Sequence, residues 1–246
     1  MANLRRRLGD WLRRGTLAFV TLGVAYLALL VYPQPLFAYE LNHVGITLHA
    51  TRPIPAAMRT TLERARVRLD RAGLKETSLP SHVFICEPRW LFAVFARGNY
   101  QVGAVADGFV GRHVYLRESD MDSDRLIGPS GNRVAADRPL SYFIAHELMH
   151  IAHARALGRV GYARMPRWAD DGHADYVARD IDLAAAWRGF KAGARELNPA
   201  QSGLYLRYHL MVAFMLQRQG MSVSDLVRTA VSREAVEQHL STLEHW

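Results

Sequence analysis

Residues 141–155 read S-Y-F-I-A-H-E-L-M-H-I-A-H-A-R, and within them His146-Glu147-Leu148-Met149-His150 is an H-E-x-x-H. Residues four apart on a helix share a face, so the two imidazoles can grip one metal ion. Glu147 then lies beside a water on that metal, where a carboxylate works as a general base. The pattern needs a helix, and the flanks supply one. Asp137 is a candidate N-cap, Pro139 suits the first turn, and Gly158 is a candidate stop. Leu140, Ile144, Leu148 and Ile151 recur every three or four residues and predict a core face, with Ala154 at its edge. His146, His150 and His153 fall on another face. The plainer reading is a helix that carries two ordinary core or surface histidines.

Residues 166–178, P-R-W-A-D-D-G-H-A-D-Y-V-A, argue against the plainer reading. A catalytic zinc takes three protein ligands and keeps a fourth position open. Asp170, Asp171, His173 and Asp175 all lie here, and His153 is a further candidate. Asp171 and Asp175 share a helix face, where two bare carboxylates repel. The repulsion is relieved if Asp171 binds the metal and Asp175 holds the far nitrogen of a ligand histidine, fixing its tautomer. Of the adjacent Asp170 and Asp171, only one is expected to face the first helix. Gly172, with no side chain, is expected to let that helix come close.

Together the two stretches resemble a gluzincin-type (peptidase MA-like) zinc metallopeptidase, the broad group of thermolysin-like and aminopeptidase-N-like enzymes. Those families follow H-E-x-x-H with a helix written W-x-x-E-G-x-A-[DE]-Y. Here the run is Trp168-Ala169-Asp170-Asp171-Gly172-His173-Ala174-Asp175-Tyr176. The resemblance implies a zincin-like fold, Zn2+ held by His146, His150 and Asp171, Glu147 as the catalytic base, and Asp175 behind His146. It covers residues 140–180 firmly and extends loosely to the preceding strands and the helical tail, about half of the soluble part. The third ligand is Asp where the family has Glu, one methylene longer. No G-x-M-E-N amine-binding motif lies upstream, and position 156 is Ala where a metzincin needs its third histidine.

Other residues have simpler readings. His153 and His173 read as packed or solvated histidines, with a ligand or substrate contact as the sharper alternative. Tyr205, Tyr208 and His209 lie in an apolar helix and read as core, although one could reach a developing oxyanion. Residues 89–96, RWLFAVFA, read as core, being too short to span a membrane.

The chain has 246 residues, half of them apolar, and a net charge of +8. The charge is uneven: five arginines against Asp10 put +4 before residue 15, which leaves +4 for everything after. That distribution, with no basic-aromatic stripe, argues against nucleic acid as a partner. Lys75 and Lys191 are the only lysines. The single cysteine, Cys86, excludes an internal disulfide and a cysteine-rich zinc site.

Residues 16–32, TLAFVTLGVAYLALLVY, are uncharged and follow the basic head of residues 1–15. The positive-inside rule makes them a transmembrane anchor, with the N-terminus cytoplasmic and the rest extracytoplasmic, periplasmic if the cell is Gram-negative. A cleaved signal peptide competes, but the one nearby small residue, Ala38, has Leu36 at its −3 position. A buried core helix is the third reading.

Pro33 and Pro35 open an expected linker over 33–43, and residues 44–246 are expected to form the zincin-like domain. Strands are expected at 44–50, 82–86, 102–106 and 113–117, with a helix at 55–74 and an exposed loop at 118–136. After the H-E-x-x-H helix come helices near 166–180, 182–191, 202–219, 222–230 and 232–243. Strands with one helix, then helices only, predict an α+β domain.

These residues lead to a membrane-anchored zinc peptidase acting on a peptide or protein substrate. Strand 113–117, just before the site, is the strand expected to pair with extended substrate. The alternative is a non-catalytic envelope protein whose zinc ties two helices together, with His153 or His173 closing the site.

Overall fold

The computed structural model describes residues 2–202 and 205–246. The chain begins with a continuous helix, α1 (Ala2–Val31). Its Trp11–Val31 portion has mean hydropathy 1.8 over 21 residues, long and apolar enough to cross a membrane or to serve as a signal sequence. Almost none of that portion is buried in the protein.

The expected linker is instead part of the sheet. β1 (Tyr39–His43) pairs antiparallel with β2 (Ile46–Ala50) through a two-residue turn, Val44-Gly45, both at positive φ. A Val at φ 46° is an unusual turn residue, which is why the hairpin is hard to read from the sequence. The other strands are β3 (Ser81–Cys86), β4 (Ala104–Ala106), β5 (Val114–Arg117) and a small hairpin of β6 (Ser119–Asp120) and β7 (Arg125–Leu126). The main sheet runs β1-β2-β3-β5-β4, parallel in the middle and antiparallel at both edges. β5 is therefore interior, paired on both sides, and cannot take an added strand; the sheet ends at β4.

Alternation along the strands builds two cores. Ile46, Leu48, Val83, Ile85, Val114 and Leu116 face α2 (Met58–Leu69) and α4 (Leu140–Arg164). Phe84 and Tyr115 face the other way, onto α3 (Arg89–Phe95) and the end of α1. A helical half completes the α+β architecture: α5 (Arg167–Ala178), α6 (Leu183–Lys191), α7 (Pro199–Ser202), α8 (Leu206–Ala213), α9 (Val223–Leu226) and α10 (Arg233–Thr242). A π-helical turn, Phe214–Arg218, extends α8. Of the helix expected over 202–219, residues 203 and 204 lie outside the described residues.

α4 carries the H-E-x-x-H. Leu140, Ile144, Leu148, Ile151 and Ala154 are all buried against the sheet, as the spacing predicts. Gly158 breaks the helix at φ 67° before a last short stretch to Arg164. The cap is not Asp137, which pairs with Arg179 at 3.3 Å. Asp124, from the segment read as an exposed loop, does the work. Its Oδ1 accepts the Ser141 N–H at 2.8 Å, and its carbonyl accepts the Leu140 N–H at 2.9 Å. The buried Met121 and Leu126 of that segment join the core.

Candidate metal centre

α4 and α5 cross so that the imidazoles of the first and the carboxylates of the second meet. Ligand-type atoms of His146, His150 and Asp171 lie within 4.8 Å of one another, and all three residues are buried. Nε2 of His150 and Oδ1 of Asp171 are 3.6 Å apart. Two atoms bound about 2.1 Å from a tetrahedral ion would be separated by roughly 3.4 Å. This group could hold a metal ion. Among the described residues no fourth His, Cys, Asp or Glu joins it.

Both adjacent aspartates face α4, against the expectation for one of them. Asp171 turns Oδ1 toward His150, while its Oδ2 accepts from Nε of Arg167 at 2.8 Å. Asp170 reaches the other side of the same ring. Its Oδ1 accepts from Nδ1 of His150 at 2.8 Å and from Nδ1 of His153 at 2.7 Å. Those are hydrogen-bond lengths, so the His150, His153 and Asp170 group is held by protons. The bond to Asp170 leaves Nε2 as the free nitrogen of His150, on the Asp171 side.

His153 and His173 are used by each other: Nε2 of His153 lies 2.9 Å from Nδ1 of His173, and both residues are buried. Neither is placed to close the metal group. Asp175 does not serve His146. Its Oδ1 accepts from the Tyr142 hydroxyl at 2.6 Å and its Oδ2 from Nδ1 of His209 at 3.0 Å. Tyr142 sits one turn before His146 on α4 and takes the position expected for the imidazole. Nδ1 of His146 is buried with no hydrogen-bond partner among the described residues. Gly172 does permit a close approach, but of α8. A Cβ there would come 2.6 Å from the carbonyl oxygen of Tyr208.

The electrostatics fit a cation. Glu147, Asp170 and Asp171 surround His150. Burial alone would lower the pKa of this imidazole, but the Asp170 carboxylate, with Glu147 and Asp171, raises it to about 10. A proton is thus held where three carboxylates demand positive charge, and a metal ion would meet the same demand. Burial, then the neighbouring His150, hold His146 down to about 3, so its ring stays neutral and keeps a lone pair for a metal. Burial first, and then Asp171 and Asp170, push Glu147 up to about 7. Two nitrogens and one oxygen are a donor set suited to zinc.

Glu147 is half-buried and opens into a cleft of about 320 Å³. Gly103 and Ala104 at the start of β4 line it, together with Leu126, Val134, His146 and Glu147. Tyr205 closes the end, its ring stacked on His146 at 5.5 Å and its hydroxyl 3.5 Å from Arg167. Of the three residues read as core in that helix, Tyr208 and His209 are buried and Tyr205 is half-buried at the cleft. The roles of Asp170 and Arg167 were not legible as pairings. Their one signal was spacing, since Arg167 lies four residues before Asp171.

No known family model matches this chain. No curated protein matches it either.

Proposed function

We propose that this chain is a membrane-anchored, extracytoplasmic zinc metallopeptidase of gluzincin-like design. The observation that carries the reading is the convergence of His146, His150 and Asp171 beside Glu147, with His146 and Glu147 lining a cleft that also reaches the start of β4.

His146, His150 and Asp171 would hold the zinc, which when bound supplies an acidified water and a Lewis acid for a peptide carbonyl. Glu147 takes the proton of the attacking water and delivers it to the leaving amine. Asp170 fixes the tautomer of His150, and Arg167 holds one oxygen of Asp171 away from the metal side. Tyr205 lines the cleft beside His146 and is the group available to donate to the carbonyl oxygen as charge builds there. Extended substrate pairs with β4, whose outer edge ends the sheet.

The uncleaved-anchor reading is supported by the way α1 ends. Leu30 and Phe37 are buried with Phe84, Phe92, Phe95 and Tyr115. Cleavage after Ala38 would remove both from the core. The non-catalytic reading needs a fourth ligand, and the mutual engagement of His153 and His173 speaks against it.

Zinc content and activity test the reading together. Purified without chelator, the full chain should carry about one zinc and cleave an unstructured protein such as casein. Activity should vanish with chelator and return with zinc. The double variant His146→Ala, His150→Ala should lack both. Equal zinc in the two proteins would overturn the ligand assignment.

A further inference from the structure

We propose that α3 is an interfacial foot, with its outer face seated in the outer headgroup layer of the phospholipid bilayer that α1 spans. The inference rests on the anchor reading of α1.

The domain is fixed to the last turns of α1. The carbonyl of Val31 accepts from Nε2 of His113 at 3.2 Å, and that of Leu30 from the Tyr115 hydroxyl at 3.5 Å. Side chains from β5 and the loop before it thus cap carbonyls that end the helix. Gly111 lies directly against this end, where a Cβ would stand 2.0 Å from the Leu30 oxygen. Leu30, only 4% exposed, fills the core beneath α3. These contacts set the height of the domain above the membrane.

A further contact sets the depth of α3 itself. The Tyr26 hydroxyl donates to the carbonyl of Val94 at 3.0 Å. Tyr26 is well inside the apolar Trp11–Val31 stretch. Five residues of helix separate it from Val31, roughly 7.5 Å at the rise of an α-helix. The polar layer on each side of a bilayer is about 5–7 Å thick. A backbone bonded to Tyr26 is therefore held below the end of the span, no higher than the head-group layer.

The outer face of α3 has the chemistry for that layer. Leu91, Phe92 and Phe95 point inward and are buried. Trp90, one turn from Val94 on the same face, is 63% exposed. Arg89 and Arg97 are exposed on either side, and the helix carries no acidic residue. Glu87, just before it, is engaged by Arg52 at 2.6 Å. A lone exposed Trp is ordinary. An exposed Trp flanked by arginines with no acidic partner among the described residues, on a helix hydrogen-bonded to a membrane span, matches an interfacial belt. The indole sits among head groups, and the guanidiniums meet lipid phosphates.

The test is a depth measurement on the full chain in phosphatidylcholine vesicles. Single cysteines at Val24, Trp90 and Val67 carry a spin label; the native Cys86 is buried and does not take it. Val24 reports α1. Val67 is exposed on α2, across the sheet from α3. Collision with oxygen and with an aqueous nickel chelate gives the depth of each label. Position 24 should lie in hydrocarbon and position 67 in water. Position 90 should lie between them, several-fold less accessible to the chelate than position 67. Should Trp90→Cys fail to fold, Arg89→Cys replaces it. Position 90 as accessible as 67, with 24 in lipid, overturns the foot and leaves the anchor standing. Position 24 as accessible as 67 removes the anchor reading and the foot with it.

Discussion

Oδ1 of Asp170 accepts from Nδ1 of His150 at 2.8 Å, on the side of the ring opposite Asp171. Two consecutive residues of α5 thus address two nitrogens of one imidazole. Burial opposes the charge on Asp170, yet His150 and His153 outweigh it and hold the carboxylate well below its usual range. It stays ionised and fixes the ring.

Asp170→Asn should therefore weaken zinc by roughly 10–100-fold, the usual effect of losing a carboxylate behind a ligand histidine. Asp171→Ala, which removes a proposed ligand, should cost more. Competition with a zinc-responsive chelator measures both. Wild-type affinity in Asp170→Asn would show that the bond does not support the ligand.

Asp175 should behave as a structural group. Its oxygens serve Tyr142 and His209, and all three residues are buried. Asp175→Ala leaves two buried donors unmatched, at about 1–3 kcal/mol each. A clear drop in melting temperature is expected, with zinc affinity in the folded protein near wild type. A large loss of zinc without loss of stability would restore the expected link to His146.

Acid should loosen the sheet face beneath α1. His49 stacks on Phe84 at 4.5 Å and lies 3.0 Å from His82, with His113 beside them. Burial, then His82, lower the pKa of His49 to about 4 from an ordinary 6.5, against the opposing pull of Glu40. Burial also lowers His82 and His113, with Arg155 adding to both and Asp107 opposing at His113. Between pH 6.5 and 4 the unfolded chain binds protons at His49 that the folded chain refuses. Stability is thus full above this window and falls as pH drops through it. Thermal melts at pH 7 and pH 5 should show a smaller drop for His49→Gln than for wild type. Equal drops would show that His49 does not titrate on unfolding.

Much of this was legible in the sequence because it is periodic. The buried face of α4 follows from Leu140, Ile144, Leu148 and Ile151, and the α5 carboxylates follow from their spacing. What was hidden depends on partners far along the chain. Asp124 caps α4 from a distant loop, and Tyr142 takes the place meant for His146 at Asp175. The contact of Gly172 with α8 depends on how three helices stack. β1 is hidden in the sequence because Pro33, Pro35 and the Val44 turn punctuate the chain where a linker is expected. That β5 is interior and cannot pair with substrate is hidden, because pairing order is a property of the whole sheet.

The proposed function rests on Glu147 moving the proton at a metal held by its neighbours. Glu147→Gln keeps the size of the side chain and removes the base. Zinc content and casein cleavage should be measured on one preparation of the variant. Wild-type zinc, an unchanged melting temperature and activity lower by about 10²–10⁴-fold or more are expected. Full zinc with wild-type activity would contradict it.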